Sequence, residues 1–150
     1  GGGLRWAVSH GDRYATKVRD LMLDCMVAIT LADGEIEAPE IASMAEAYAE
    51  IMGERPDPQD LQTLAEATQA LGAEAPFDAL LERLRQELPL LDDNGRELIL
   101  ESAFRVACAE GEIEPEEDLQ LQAIARALAI NEGVLELEIA RFQRRLTRPS

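Results

Sequence analysis

Two stretches that lie 77 positions apart decide how this chain folds: Ala32-Asp33-Gly34-Glu35-Ile36-Glu37-Ala38-Pro39-Glu40 and Ala109-Glu110-Gly111-Glu112-Ile113-Glu114-Pro115-Glu116-Glu117. Both contain Gly-Glu-Ile-Glu, with one acid directly before the glycine and another acid three residues after the tetrapeptide. Chance is a poor explanation for four consecutive identities with matched acids on both sides. The two stretches therefore indicate an internal duplication.

The similarity extends beyond these loops, over residues 21–51 and 98–128. Each copy is predicted to be a helix, a glycine turn and a second helix. Residues from about 57 to 89 form a predicted helical insert between the copies, and residues 1–150 form one domain. A duplication usually gives a pseudo-twofold core, which leaves two arrangements open: the acidic loops on one face, or at opposite ends.

Proline and glycine residues divide the chain into about seven predicted helices. No run of alternating β-branched residues predicts a strand. A 47 % apolar and 4 % aromatic composition favours helices with an aliphatic core. The prediction is an all-α, compact bundle of about seven helices with an internal helix-loop-helix duplication. The predicted helices are 14–32, 39–52, 58–71, 76–88, 92–109, 115–130 and one from 131 onward.

The formal charge of −16 is unevenly distributed. Residues 1–20 carry +2 and residues 141–150 carry +4, so residues 21–140 carry −22. Such a body repels nucleic acid and anionic lipid, and attracts cations or basic protein partners. No apolar run is long enough for a membrane span, and no signal peptide is found. We expect cytoplasmic localisation and protein partners. Attachment to a membrane, either peripheral or through an upstream anchor, stays open. The oligomeric state also stays open.

The loops carry a specific resemblance. Ala32-Asp33-Gly34-Glu35-Ile36-Glu37-Ala38-Pro39-Glu40 resembles the Ala-Asp-Gly-x-apolar-x-x-x-Glu pattern of the tellurite-resistance TerB family, and Ala107 to Glu117 resembles its second copy. The resemblance covers about residues 14–140, and Glu110 departs from the aspartate that is usual in the family. It implies an all-helical domain, also found attached to J-domain co-chaperones such as DjlA. It further implies an association with tellurite and stress-resistance operons, divalent-metal binding, and a scaffolding role near the membrane.

Eight acids of the two loops are candidate metal ligands. Carboxylate oxygens suit Ca²⁺ or Mg²⁺, and two loops on one face, with water, would complete a weak site. An EF-hand is excluded, because the first and third loop positions are apolar in both copies. The alternative is that the acids stabilise helix starts through the helix dipole or a capping box. The candidates are Asp33, Glu35, Glu37, Glu40, Glu110, Glu112, Glu114 and Glu117.

No catalytic constellation is present, so the chain is predicted not to be an enzyme. Cys25 and Cys108 are expected to be buried, reduced thiols. The predicted function is a non-enzymatic module of a tellurite, stress or metal response that binds divalent cations weakly. The alternative is a protein–protein interaction scaffold without metal, with a groove formed by leucines that otherwise belong to the core. Those leucines are Leu61, Leu64, Leu71, Leu80, Leu81 and Leu84.

Overall fold

A computed structural model describes residues 12–32, 36–70, 76–109 and 113–147. These residues form helices and connecting turns, and none of them lies in a strand, which confirms the all-α prediction. Every described helix is too short or too polar to cross a lipid bilayer. The helices are α1 (Asp12–Ala32), α2 (Ala38–Met52), α3 (Pro58–Ala70), α4 (Pro76–Glu87), a 3-10 turn (Leu88–Leu90), α5 (Asp93–Ala107), α6 (Pro115–Ala127) and α7 (Glu132–Thr147).

The first helices of the two copies, α1 and α5, form the most extensive helix pair in the fold. Val18, Leu21, Cys25 and Ala28 recur along one side of α1, and all four are buried as that spacing predicts. Helix α1 also packs on α3 and α4, so it lies at the centre of the bundle. An apolar stripe three to four residues apart therefore determines which helix becomes the core helix.

Small side chains occupy the crossing of α1 and α5. Cys25 and Ser102 are equivalent in the 77-residue repeat, and both are fully buried. The Ser102 hydroxyl donates to the Ile99 carbonyl at 2.7 Å and lies 3.5 Å from the Met22 carbonyl of α1. A hydroxyl that can reach the backbone of the opposite helix shows how closely the two helices approach.

Helices α3 and α4, the predicted insert, complete the core. Leu61 and Leu84 are fully buried and Leu80 is nearly so, while Leu64 and Leu81 are partly buried against the same cluster. These positions agree with the core role that the sequence offered for the leucines, and leave little apolar surface on α3 and α4 for the alternative, a partner groove. Leu71 lies outside the described residues.

Ion pairs also attach α4 to α1. The Lys17 ammonium lies 2.7 Å from the Glu87 carboxylate, and Asp24 pairs with Arg83. Burial raises the pKa of Asp24 above its ordinary value, while the Arg83 guanidinium opposes this change. The division of the chain into repeat, insert and repeat stays a prediction, but each of its segments contains the helices expected of it.

The turn between α6 and α7 has a left-handed residue that is not glycine. Helix α6 ends at Ala127, three residues earlier than predicted, and Ala129 has φ of 55°. The Ile130 N–H donates to the Ala125 carbonyl at 2.8 Å, and the Ala129 N–H donates to the Arg126 carbonyl at 3.0 Å. This pair of hydrogen bonds is the Schellman motif, which ends the helix although the sequence has no glycine there.

A hydrogen-bonded cluster fixes the start of α5 against α1. Asp92 is the N-cap residue, and its Oδ1 accepts hydrogen bonds from the Gly95 N–H and the Tyr14 hydroxyl, both at 2.8 Å. The Tyr14 oxygen in turn accepts the Asp92 N–H at 2.7 Å. A tyrosine of the first helix thus completes the cap of the fifth, over a separation of 78 residues.

Candidate functional site

Both copies of the repeat line a single cavity of about 700 Å³. It lies where α1 ends and α2 begins, beside the corresponding ends of α5 and α6. The described residues that flank the two loops line this one cavity, which favours the arrangement with both loops on one face; residues 33–35 and 110–112 lie outside the described ranges. Three pairs of equivalent positions contribute to the lining: Ile29 and Val106, Thr30 and Ala107, and Glu40 and Glu117.

Glu40 is the candidate ligand with the most unusual environment. It lies in the first turn of α2, after the N-cap residue Glu37, and it lines the cavity. Its Oε2 atom is buried and has no hydrogen-bond partner. A buried carboxylate oxygen without a donor is costly, because the water that it lost is not replaced. Such an oxygen is suited to receive a cation.

Glu117, the equivalent residue of the second copy, has a different environment. Its Oε1 accepts the backbone N–H of the N-cap residue Glu114 at 3.1 Å, so it takes part in a capping box. The structural role considered from the sequence is therefore present in the second copy. In the first copy Glu37 makes no side-chain cap, and the Glu40 Oε2 atom makes no hydrogen bond.

The remaining candidate acids are distributed unequally. Glu37 and Glu114 are exposed, and Glu114 also lines the cavity. In the described ranges, no three acids, cysteines or histidines are grouped as they would be around a metal ion. The structure thus brings three of the four described candidates to one cavity without gathering them at one point. The other four, Asp33, Glu35, Glu110 and Glu112, lie outside the described residues.

Two hydroxyl residues of the cavity were not predicted. Thr30 and Ser43 line it beside Glu40. Thr30 donates its proton to the Met26 carbonyl at 2.8 Å, which leaves its oxygen able to accept or to coordinate. In the sequence, a threonine in the last turn of a helix has no special spacing. Only the fold shows that it faces the same space as the acids.

Both cysteines are buried and free, as predicted. Burial, and to a smaller extent the nearby Glu117 carboxylate, raise the pKa of the Cys108 thiol to about 12. Burial also raises the pKa of Cys25. Because metal ligation and nucleophilic attack require the thiolate, neither cysteine is prepared for these reactions.

The fold and the cavity define a class: an all-helical domain in which a duplicated helix-loop-helix places its acidic loop ends around one space. The family model described as "Tellurite resistance protein TerB" matches residues 25–137, well over half of the chain. The chain therefore belongs to the TerB family, as its loop motifs indicate. No curated protein and no solved structure matches the chain.

Proposed function

We propose that the chain is a non-enzymatic TerB-family module of a tellurite, stress or metal response, and that its acidic cavity binds Ca²⁺ or Mg²⁺ weakly. One observation carries the proposal: equivalent acids of the two copies, Glu40 and Glu117, line the same cavity, and the Glu40 Oε2 atom is buried without a hydrogen-bond partner. A divalent cation would bind this carboxylate oxygen, which has no hydrogen-bond donor, and would attract the Glu117 carboxylate.

The chemistry of the cavity suits a hard cation. Ca²⁺ takes about six to eight oxygen ligands, and Mg²⁺ about six with several kept as water. Glu40, Glu114 and Glu117 offer carboxylates, and Thr30 and Ser43 offer hydroxyl oxygens. We propose the other loop acids as additional ligands: Asp33, Glu35, Glu37, Glu110 and Glu112. The capping bond of Glu117 competes with coordination, which is one reason to expect weak binding.

The net charge of −16 raises the local concentration of cations around the whole molecule. A test must therefore separate a site from general screening. Two pairs of glutamates allow this comparison. Glu40→Gln/Glu117→Gln removes both cavity acids. Glu46→Gln/Glu116→Gln removes the same charge from exposed positions of the same two helices.

The experiment is a thermal melt of the chain and both double variants, first with EDTA and then with millimolar Ca²⁺, Mg²⁺ or Zn²⁺. Binding to the native state alone stabilises by about 2.7 kcal/mol at a hundredfold excess over Kd. For a chain of this size that raises Tm by roughly 5–10 °C. We expect the increase with Ca²⁺ or Mg²⁺, its loss in the cavity variant, and its retention in the surface variant. Equal small increases in Tm in all three proteins would overturn the cation site. The acids would then only stabilise the starts of their helices.

A protein-interaction scaffold is the second candidate function. It is favoured by Val134 and Leu137 of α7, which are 40 % and 47 % exposed. Large apolar side chains on the surface are a typical feature of contact sites when they are grouped. The free state of both cysteines supports the cytoplasmic localisation that we propose for either function.

A further inference from the structure

A groove separates α5 from α7. Helix α7 packs mainly on α6, with Leu135 buried as its anchor. On the side towards α5 it leaves a cavity of about 410 Å³, with Leu100 and Phe104 of α5 in the lining. Packed helices lie about 8–10 Å apart, and their side chains interlock. An apolar gap between two helices therefore offers space for side chains of another helix.

The groove is the place where exposed apolar side chains accumulate. Among the side chains whose exposure the structure describes, four large apolar ones are exposed, and two of them, Val134 and Leu137, line this groove. Leu90 and Leu119 lie elsewhere. Five of the eight lining residues are apolar. This composition is typical of grooves that bind the apolar face of an amphipathic helix.

The α5 side of the groove is acidic. Glu97 and Glu101 lie four residues apart, hence on the same side of α5, and both line the groove. Arg105, one turn further, pairs with Glu101 at 3.1 Å and also with Glu50, whose side chain is 63 % exposed. The opposite wall contributes Arg141. An occupant with basic residues along one edge therefore matches the α5 wall, and the charge of −16 accelerates its encounter.

We propose that this groove docks a basic amphipathic helix of a partner protein. The apolar face of that helix lies against the exposed Val134 and Leu137, over a groove floor of Leu100 and Phe104 that is 4 % and 6 % exposed. Its basic edge faces Glu97 and Glu101. The inference gives the proposed scaffold role a partner class and a surface. It does not depend on the cation site, which lies in a different cavity. Loss of the cation effect and loss of helix docking are therefore separate results.

The test uses two synthetic, fluorescein-labelled helical peptides of about 18 residues, which span about five turns. Both have leucines at i, i+3, i+4 and i+7, and their polar faces carry lysine in one peptide and glutamate in the other. Binding is measured by fluorescence anisotropy. We expect the lysine peptide to bind, with a Kd that increases with salt, and the glutamate peptide to bind at least about tenfold more weakly.

Matched variants separate the groove from general attraction to an acidic protein. Leu137→Asp is expected to raise the Kd of the lysine peptide at least about tenfold, since it removes apolar contact. Glu97→Lys is expected to raise the Kd of the same peptide about threefold. The controls are Leu119→Asp, at a residue 65 % exposed, and Glu116→Lys, both outside the groove. Equal binding by groove and control variants, or no binding of the lysine peptide, would overturn the proposal.

Two other occupants would also be revealed. A dimer in analytical ultracentrifugation that Leu137→Asp dissociates would show a second copy in the groove instead of a partner. Trp6 is the chain's one tryptophan, so its emission reports on the N-terminal segment. A red shift of this emission with Leu137→Asp, together with no peptide binding, would assign the groove to that segment. Either result overturns docking of a partner helix.

Discussion

Gly95→Ala should destabilise the protein, although alanine is the better helix former. Gly95 is in the first turn of α5, where its N–H donates a hydrogen bond to Oδ1 of the N-cap residue Asp92. A Cβ atom at this position would lie 2.6 Å from the Tyr14 hydroxyl oxygen, 3.2 Å from Asp92 Oδ1 and 3.3 Å from Val18 Cγ2. The Tyr14 hydroxyl cannot move away freely, because it both donates to Asp92 and accepts the Asp92 N–H.

The magnitude follows from these contacts. Displacing the Tyr14 hydroxyl breaks two hydrogen bonds, one of them to a carboxylate, which together contribute about 2–3 kcal/mol. Replacing glycine by alanine in a helix stabilises the folded state by about 1 kcal/mol. The net loss for Gly95→Ala is therefore about 1–2 kcal/mol. For a chain of this length, that corresponds to a decrease in Tm of roughly 3–6 °C.

A double-mutant cycle tests the cause. Tyr14→Phe removes the hydroxyl and the same two hydrogen bonds, and should therefore cost about 2–3 kcal/mol by itself. In the Tyr14→Phe background, Gly95→Ala no longer meets an oxygen at 2.6 Å, so it should become neutral or stabilising. Urea unfolding followed by circular dichroism measures all four proteins. Additive effects, within about 0.5 kcal/mol, would refute the steric explanation.

Three further predictions rest on other parts of the fold. Ala129→Gly should stabilise by about 0.5–1 kcal/mol, because Ala129 has φ of 55°. Ala67→Gly, at an exposed position of α3, should instead cost up to about 1 kcal/mol in the same urea assay. Cys25 and Cys108 should resist iodoacetamide at about pH 8 in the native protein and react in urea, as mass spectrometry would show; rapid native alkylation would contradict their burial. Asp24→Asn should gain stability relative to wild type as pH rises from about 4 to 7. The raised pKa of Asp24 means that its ionisation costs more in the folded state; a difference that is constant with pH would contradict this.

Sequence periodicity was sufficient for the helices and for most of the core. Val18, Leu21 and Cys25 repeat at helical spacing and are all fully buried. The end of α6 was not predictable by the same means. The usual stop signal is a glycine in the left-handed region, and here that conformation belongs to Ala129. The backbone hydrogen bonds of the turn, rather than the residue type, end this helix.

Long-range contacts explain what the sequence did not show. Tyr14 and Asp92 are 78 positions apart, and neither belongs to a motif, so only the packing of α1 on α5 brings them together. For leucines such as Leu61 the sequence left two roles open, core or partner groove, because helical spacing gives an apolar stripe but does not say what covers it; the structure buries Leu61 in the core. Leu137 lies on α7, which packs mainly on α6, so no neighbouring helix covers it.

The two halves of the candidate site differ although their sequences repeat. Equivalent glutamates lie in the first turns of α2 and α6. Glu117 accepts a hydrogen bond from the Glu114 N–H, whereas the Glu40 Oε2 atom has no hydrogen-bond partner. Two identical capping boxes would satisfy both carboxylates and leave little affinity for a cation. Conversely, two unsatisfied buried carboxylates facing one cavity would repel each other strongly. In the cation site that we propose, one capped and one uncapped acid would limit this repulsion and leave the Glu40 Oε2 atom for the cation to compensate. Removing Glu40 should therefore affect cation binding more than removing Glu117, whereas removing Glu117 should cost more stability without cation.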